Sequence, residues 1–152
     1  MSKSVNIFID GASRGNPGPS GIGIVFCDDQ NNIIKKLFKF IGNTTNNVAE
    51  YSALIYAVQE ALIDRYDDVK VKSDSELLTK QLTGEYKVKN DNIKPYYDMF
   101  QHIARGFDKI EVISIDRENN SIADKLANRA IDSRFESSLK TEYAQAGWSP
   151  RP

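Results

Sequence analysis

Four acidic residues stand where a carboxylate serves folding poorly. Asp10 ends the apolar run Val5-Asn6-Ile7-Phe8-Ile9, and Asp74 follows Val69-Lys70-Val71-Lys72-Ser73. Glu50 and Asp124 lie among the apolar positions of two helix-like segments, Asn47-Val-Ala-Glu-Tyr and Ile122-Ala-Asp-Lys-Leu-Ala. Carboxylates brought together repel one another unless cations lie between them, so convergence of the four would imply a metal site. Singly, each has a plainer reading. Glu50, three residues after Asn47, fits a capping box; Asp74 can cap the helix beginning beside Ser75; Asp10, before Gly11, suits a turn; Asp124 can be an exposed helical aspartate.

The elements that must position these residues alternate between strand and helix. A strand is expected over 3–10, and the glycine- and proline-rich stretch Gly11 to Gly23 reads as a tight loop running into a second strand at about 22–28. Asp28 to Asn32 reads as a turn and 33–41 as a third strand, giving an antiparallel meander. A helix over 47–64 presents Val48, Tyr51, Leu54, Ile55, Val58, Ala61 and Leu62 on one face. Then come a strand at 69–73, a helix at 75–84, a polar loop at 85–91, a helix at 92–105, a strand at 109–115 and a last helix at 120–132. Residues 133–152 read as a polar tail that can begin by extending the last helix, with Trp148 either docked on the body or exposed.

This order describes an α/β domain over 1–132 followed by a tail over 133–152. The first strand is central, because crossovers to the fourth and fifth strands must lie beside it in parallel. The ends of strands one and four then meet at the carboxyl edge, where such sheets place their sites, with Asp10 and Asp74 side by side. The two helices can bring Glu50 and Asp124 to the same end.

Composition sets wide bounds. A chain of 152 residues with 40% apolar and 27% charged residues suits one water-soluble domain. No apolar span long enough for a membrane and no leader peptide are read in it. The single cysteine, Cys27, excludes an internal disulfide and fits a reducing cytoplasm. A net charge of −1 gives no global pull toward nucleic acid, so any such binding rests on local basic groups and metal.

Four segments together resemble the motifs of type-1 ribonuclease H, in that family's order. They are Asp10-Gly-Ala-Ser-Arg-Gly-Asn-Pro-Gly-Pro-Ser-Gly-Ile-Gly, Thr44-Thr-Asn-Asn-Val-Ala-Glu-Tyr-Ser-Ala-Leu, Ser73-Asp-Ser-Glu-Leu and Asn119-Asn-Ser-Ile-Ala-Asp-Lys-Leu-Ala. The plain readings of the carboxylates are independent of one another, whereas the family pattern requires all four. The resemblance implies the ribonuclease H fold, a five-stranded mixed sheet of order 3-2-1-4-5 flanked by helices. It implies hydrolysis of the RNA strand of an RNA–DNA hybrid, with 5′-phosphate and 3′-hydroxyl products. Two other classes stand beside it: a ribonuclease H-fold nuclease acting on DNA, and a non-catalytic nucleic-acid-binding module. The Gly-Asn-Pro-Gly and Thr-Asn-Asn elements weigh against the first, and the four retained carboxylates against the second.

Carried over residue by residue, the family's site has Asp10 bridging two Mg²⁺ ions about 4 Å apart, Glu50 and Asp74 holding one and Asp124 the other, with Mn²⁺ able to substitute. Asn16, Asn46 and Asn47 are implied near the minor groove of the RNA strand, where the 2′-hydroxyl distinguishes RNA from DNA. Thr45, Ser75 and Gln81 are further candidates for substrate contact, although capping also explains Asn46 and Asn47. Some members insert a basic protrusion after the second helix; here there is room only for a loop, whose Lys87 and Lys89 either touch DNA phosphates or stay solvated. No separate hybrid-binding domain is expected either. Many members carry a histidine before the fourth carboxylate; here Arg117 stands there, suited to drawing a phosphate or to pairing with Asp116 or Glu118. The one histidine, His102, falls on the helix of 92–105 as a surface or packing residue. No obligate protein partner is called for, and a monomer is expected.

Overall fold

The computed structural model describes residues 3–134 and 138–143. Three antiparallel strands open the chain, β1 (Ser4–Ser13), β2 (Gly18–Cys27) and β3 (Ile33–Thr44). They are followed by α1 (Asn46–Ile63), β4 (Asp68–Ser73), α2 (Glu76–Thr83), α3 (Lys94–Ala104) and β5 (Lys109–Ser114). A 3₁₀ turn (Arg117–Asn120) leads into α4 (Ser121–Asp132), and β6 (Lys140–Tyr143) closes the described chain. The strands form one sheet of order β5-β4-β1-β2-β3-β6, with β1, β4 and β5 mutually parallel.

Five of these strands stand in the expected order, and the sixth corrects the five-stranded reading. β6 pairs antiparallel with the first half of β3, from Lys35 opposite Tyr143 to Phe38 opposite Lys140. An uncovered β3 would present a row of unpaired backbone groups, and this short segment satisfies part of it. Arg129 of α4 holds β6 through two hydrogen bonds to Glu142, at 3.0 and 2.8 Å, while its guanidinium lies over the Phe38 ring. The last helix stops at Asp132 instead of extending. Trp148 lies outside the described residues.

Alternation along the strands sorts side chains onto two faces. Val5, Ile7, Ile9, Ile22, Ile24, Leu37, Val69 and Val71 bury against α1, whose Tyr51, Leu54, Ile55 and Val58 complete the larger core. Each such aliphatic side chain contributes about 1.5–3 kcal/mol on burial. The other face carries a smaller core of Val25, Cys27 and Phe38 beneath Ala123, Leu126 and Ala130 of α4. Leu62, expected on the buried face of α1, is 37% exposed. Lys35 is buried under α1 and pairs with Glu60 at 2.6 Å and Asp64 at 2.5 Å, tying the end of that helix to β3.

Local signals explain the helix starts better than the capping readings did. Thr45 caps α1, its side chain accepting from the Val48 amide, so Asn47 and Glu50 are not a capping box. Ser75, not Asp74, caps α2 by accepting from the Leu78 amide. Both carboxylates are thereby left free of helix-capping duty. Between α2 and α3 the chain forms no helix, as expected for the short loop. No helix among the described residues is long and apolar enough to cross a membrane.

Candidate active site

Register brings the first two carboxylates together. Ile9 stands opposite Ser73 in the parallel β1–β4 pair, so the next residues, Asp10 and Asp74, leave neighbouring strands side by side. Glycines bring the other two. Gly11 lies so close to the start of α1 that a Cβ would overlap backbone atoms of Ala49 and Glu50. This approach lets the Gly11 amide donate to Oε1 of Glu50. On the opposite face, Cβ atoms at Gly21 and Gly23 would run into the carbonyl oxygens of Ala127 and Ala123. Their absence lets α4 settle directly on β2, which brings Asp124 near Asp10, although Asp124 is not one of the three carboxylates that lie within 4.8 Å of one another.

Carboxylate oxygens of Asp10, Glu50 and Asp74 all lie within 4.8 Å of one another. Asp10 and Glu50 are buried, at 7% and 5% exposure, while Asp124 faces solvent with its Oδ1 3.4 Å from the Asn128 amide nitrogen. Burial, then the charges of Glu50 and Asp74, hold the Asp10 carboxyl far above the ordinary carboxylate range. Burial also pushes Glu50 up, to about 7, against the lowering pull of the Gly11 amide. Such a group is costly to ionise unless a cation compensates it. Every donor is a carboxylate oxygen, the ligand set preferred by hard divalent cations, so the residues present fit a metal of that class.

The remaining candidates scatter around this centre. Oδ1 of Asn16 accepts from the Asn46 amide at 3.0 Å, locking the β1–β2 loop to the start of α1. Both residues are exposed, and Asn47 beside them is half-buried. Ser75 neighbours Glu50 and lowers its pKa by hydrogen bonding. Lys87 and Lys89 are exposed in the loop before α3. Gln81 departs from its expected place: it is 7% exposed, and its Oε1 accepts from the Tyr51 hydroxyl at 2.7 Å, so it joins α1 to α2 in the interior. Arg117 is exposed and lines, with Asp74, Thr79 and Ser114, a cavity of about 450 Å³. Among the described residues no ion pair joins it to Asp116 or Glu118. His102 is exposed on α3.

Sequence reasoning passed over Gly21 and Gly23, whose alternate spacing in an otherwise apolar run was the available signal of a close backbone approach. It also passed over Asn120. This residue is 2% exposed, and its amide nitrogen lies 3.0 Å from Oδ2 of Asp74.

Comparison with known proteins agrees with this geometry. The family described as reverse transcriptase-like matches residues 8–130. Ribonuclease HI of Halobacterium salinarum is 38% identical over 128 residues, covering 84% of this chain and 64% of that relative, so the chain spans less than two thirds of its length. Ribonuclease H of Pseudomonas fluorescens is 32% identical over 148 residues, covering 87% of this chain and 95% of the relative. The crystal structure of LC11-RNase H1 in complex with RNA/DNA hybrid superposes with a TM-score of 0.82 at 40% identity, over 87% of this chain and 99% of that one. With the strand order, the carboxylate cluster and these likenesses in agreement, the chain belongs to the ribonuclease HI family.

Proposed function

We propose that this protein hydrolyses the RNA strand of RNA–DNA hybrids, leaving 5′-phosphate and 3′-hydroxyl ends. The observation that carries the reading is the convergence of Asp10, Glu50 and Asp74 within 4.8 Å, with Asp124 beside Asp10. The hybrid held by LC11-RNase H1 supports the substrate class. Asp10, Glu50, Asp74 and Asp124 are the residues to hold Mg²⁺, with Mn²⁺ as a substitute. When bound, the metal supplies an activated water and stabilises the departing oxygen of an in-line displacement. Asp10 neighbours each of the other three and is therefore the carboxylate they share.

Substrate selection falls to the residues around the cluster. The Asn16–Asn46 link holds two exposed amide side chains at the entrance, with Thr45 and Asn47 adjoining them. Short donors and acceptors of this kind suit ribose 2′-hydroxyls, which only the RNA strand carries. Lys87 and Lys89 meet phosphates of the DNA strand from the exposed loop. The catalytic domain spans 1–132, the extension over 133–152 contributes β6 to its sheet, and the protein acts as a monomer. The free, buried thiol of Cys27 is consistent with a cytoplasmic setting. Labelled hybrid, single-stranded RNA, duplex RNA and duplex DNA, each with Mg²⁺, Mn²⁺ or chelator, test the reading. Cleavage is expected of the RNA in the hybrid alone, and none in chelator. Cleavage of duplex DNA, or no Mg²⁺-dependent turnover on hybrid, would overturn it.

Arg117 takes the position where many relatives carry histidine. Arginine stays protonated at working pH, so its part is to draw a phosphate oxygen and not to move a proton. Replacement Arg117→Ala is expected to slow turnover about ten- to a hundredfold, roughly 1.4–2.7 kcal/mol of barrier, with the unfolding temperature unchanged. His102→Ala serves as the comparison and is expected to turn over as wild type. Loss of activity in His102→Ala, with Arg117→Ala unaffected, would reverse the assignment.

A further inference from the structure

Asn120 ends the 3₁₀ turn before α4 and is 2% exposed. Its amide nitrogen donates to the Ile9 carbonyl at 2.8 Å and to Oδ2 of Asp74 at 3.0 Å. The carbonyl only accepts and the carboxylate oxygen is met as an acceptor, so the nitrogen must face them and both amide hydrogens are used. The remaining atom, Oδ1, is the buried side-chain oxygen left without a hydrogen-bond partner among the described residues. Buried polar atoms are ordinarily satisfied. Leaving one unsatisfied here marks a site where the two donors matter more than the acceptor.

We propose that Asn120 is a positioning residue of the carboxylate site, fixing Asp74 against the end of β1 and against the start of α4. The inference rests on the metal-site reading above. One planar amide spans the carbonyl immediately before Asp10 and the carboxylate of Asp74, so it sets the spacing of those two ligands. It occupies Oδ2 of Asp74 and leaves Oδ1 of that carboxylate for a cation. Because Asn120 lies on the turn entering α4, the same group ties the helix that carries Asp124 to both strand ends. No other side chain fits as well. Aspartate would set its oxygens against two acceptors, serine offers one hydrogen, and glutamine is a methylene longer.

Magnesium titrations followed by calorimetry on wild type, Asn120→Ala, Asn120→Ser and the exposed neighbour Asn119→Ala separate positioning from mere stapling of the helix. Asn120→Ala is expected to weaken Mg²⁺ binding about ten- to a hundredfold, the usual effect of removing a hydrogen bond that orients a metal ligand. Asn120→Ser is expected to fall between it and wild type, and Asn119→Ala to match wild type. On hybrid, Asn120→Ala should lose kcat with KM nearly unchanged, and raised Mg²⁺ should restore kcat. A purely structural role would lower the unfolding temperature in chelator yet leave the Mg²⁺ affinity of the folded protein unaltered. A dissociation constant within twofold of wild type, measured far below the variant's unfolding temperature, therefore overturns the proposal. Should Asn120→Ala not fold, the same criterion applies to Asn120→Ser. Absence of Mg²⁺ binding by wild type would remove the metal-site reading and this inference together; normal binding by both would remove the inference alone.

Discussion

Asp10→Asn is expected to abolish Mg²⁺-dependent hydrolysis while making the metal-free protein more stable. The two effects share one cause. Burial opposes the charge of Asp10 first, and the neighbouring Glu50 and Asp74 carboxylates add to that opposition, yet this charge is what a cation needs. An amide of the same shape keeps the packing, can donate to Glu50, and carries no charge. Turnover should fall by at least about a thousandfold, roughly 4 kcal/mol of barrier. In chelator the unfolding temperature should rise. Residual cleavage near the wild-type rate would remove Asp10 from its role as the shared ligand, and a lower unfolding temperature would make it a structural residue.

The same shifts fix the sign of the pH dependence. The folded-state pKa values of Asp10 and Glu50 are raised, so the folded chain retains protons that the unfolded chain has already released. Stability from these groups is fully present below the ordinary carboxylate values of 3.8 and 4.5, and is lost as pH rises through the folded values, that of Glu50 being about 7. Each retained proton is worth at most about 1.4 kcal/mol per pH unit. In chelator, wild type should therefore unfold at progressively lower temperature from pH 5 to pH 8, the window taken from the raised carboxylates. Asp10→Asn should flatten that slope, and Mg²⁺ should remove it in wild type. The gain from Asp10→Asn consequently grows with pH.

Much of this arrangement was legible in the sequence because it follows from short-range patterns. The apolar run Val5-Asn6-Ile7-Phe8-Ile9 gave a strand, and the parallel crossover placed its end beside Ser73, so the Asp10–Asp74 pair followed without coordinates. The stretch from Gly11 to Gly23 was less legible. It read as a loop, since glycine weakens isolated strands, yet β1 runs on to Ser13 and β2 starts at Gly18. Tertiary demand overrides local preference there, because two helices need a strand surface without side chains. β6 was hidden for the opposite reason. Lys140 to Tyr143 has little apolar content, and its pairing depends on an edge left open about a hundred residues earlier. Gln81 and Asn120 show a third limit. Polarity announces a residue as a contact candidate, but only packing shows that one bonds to Tyr51 inside the protein and the other to Asp74 at the site.

Gly11→Ala puts the dependence of the site on close approach to the test. The new Cβ would overlap the carbonyl group of Ala49 and the amide of Glu50, which are helix backbone and cannot swing aside as a flexible side chain would. Relief requires α1 to move off β1 as a body. That costs burial of Ile9 against the helix and breaks the bond from the Gly11 amide to Glu50. Overpacking of this kind destabilises by about 1–3 kcal/mol, which lowers the unfolding temperature of a chain of this size by about 2–12 °C. Cleavage should suffer more than stability, because the shift carries Glu50 away from Asp10 and Asp74, and a misplacement of about 1 Å can cost a hundredfold in rate. Gly84→Ala provides the contrast. It occupies the left-handed C-cap of α2 at φ 87° with open space around it, so its penalty is conformational only, about 1–2 kcal/mol, and the site is untouched. Equal turnover in the two variants, assayed below both unfolding temperatures, would mean that Glu50 is not held in place by the contact at Gly11. A loss confined to Gly11→Ala would show that the absent side chain at this one position is what admits the helix-borne carboxylate to the cluster.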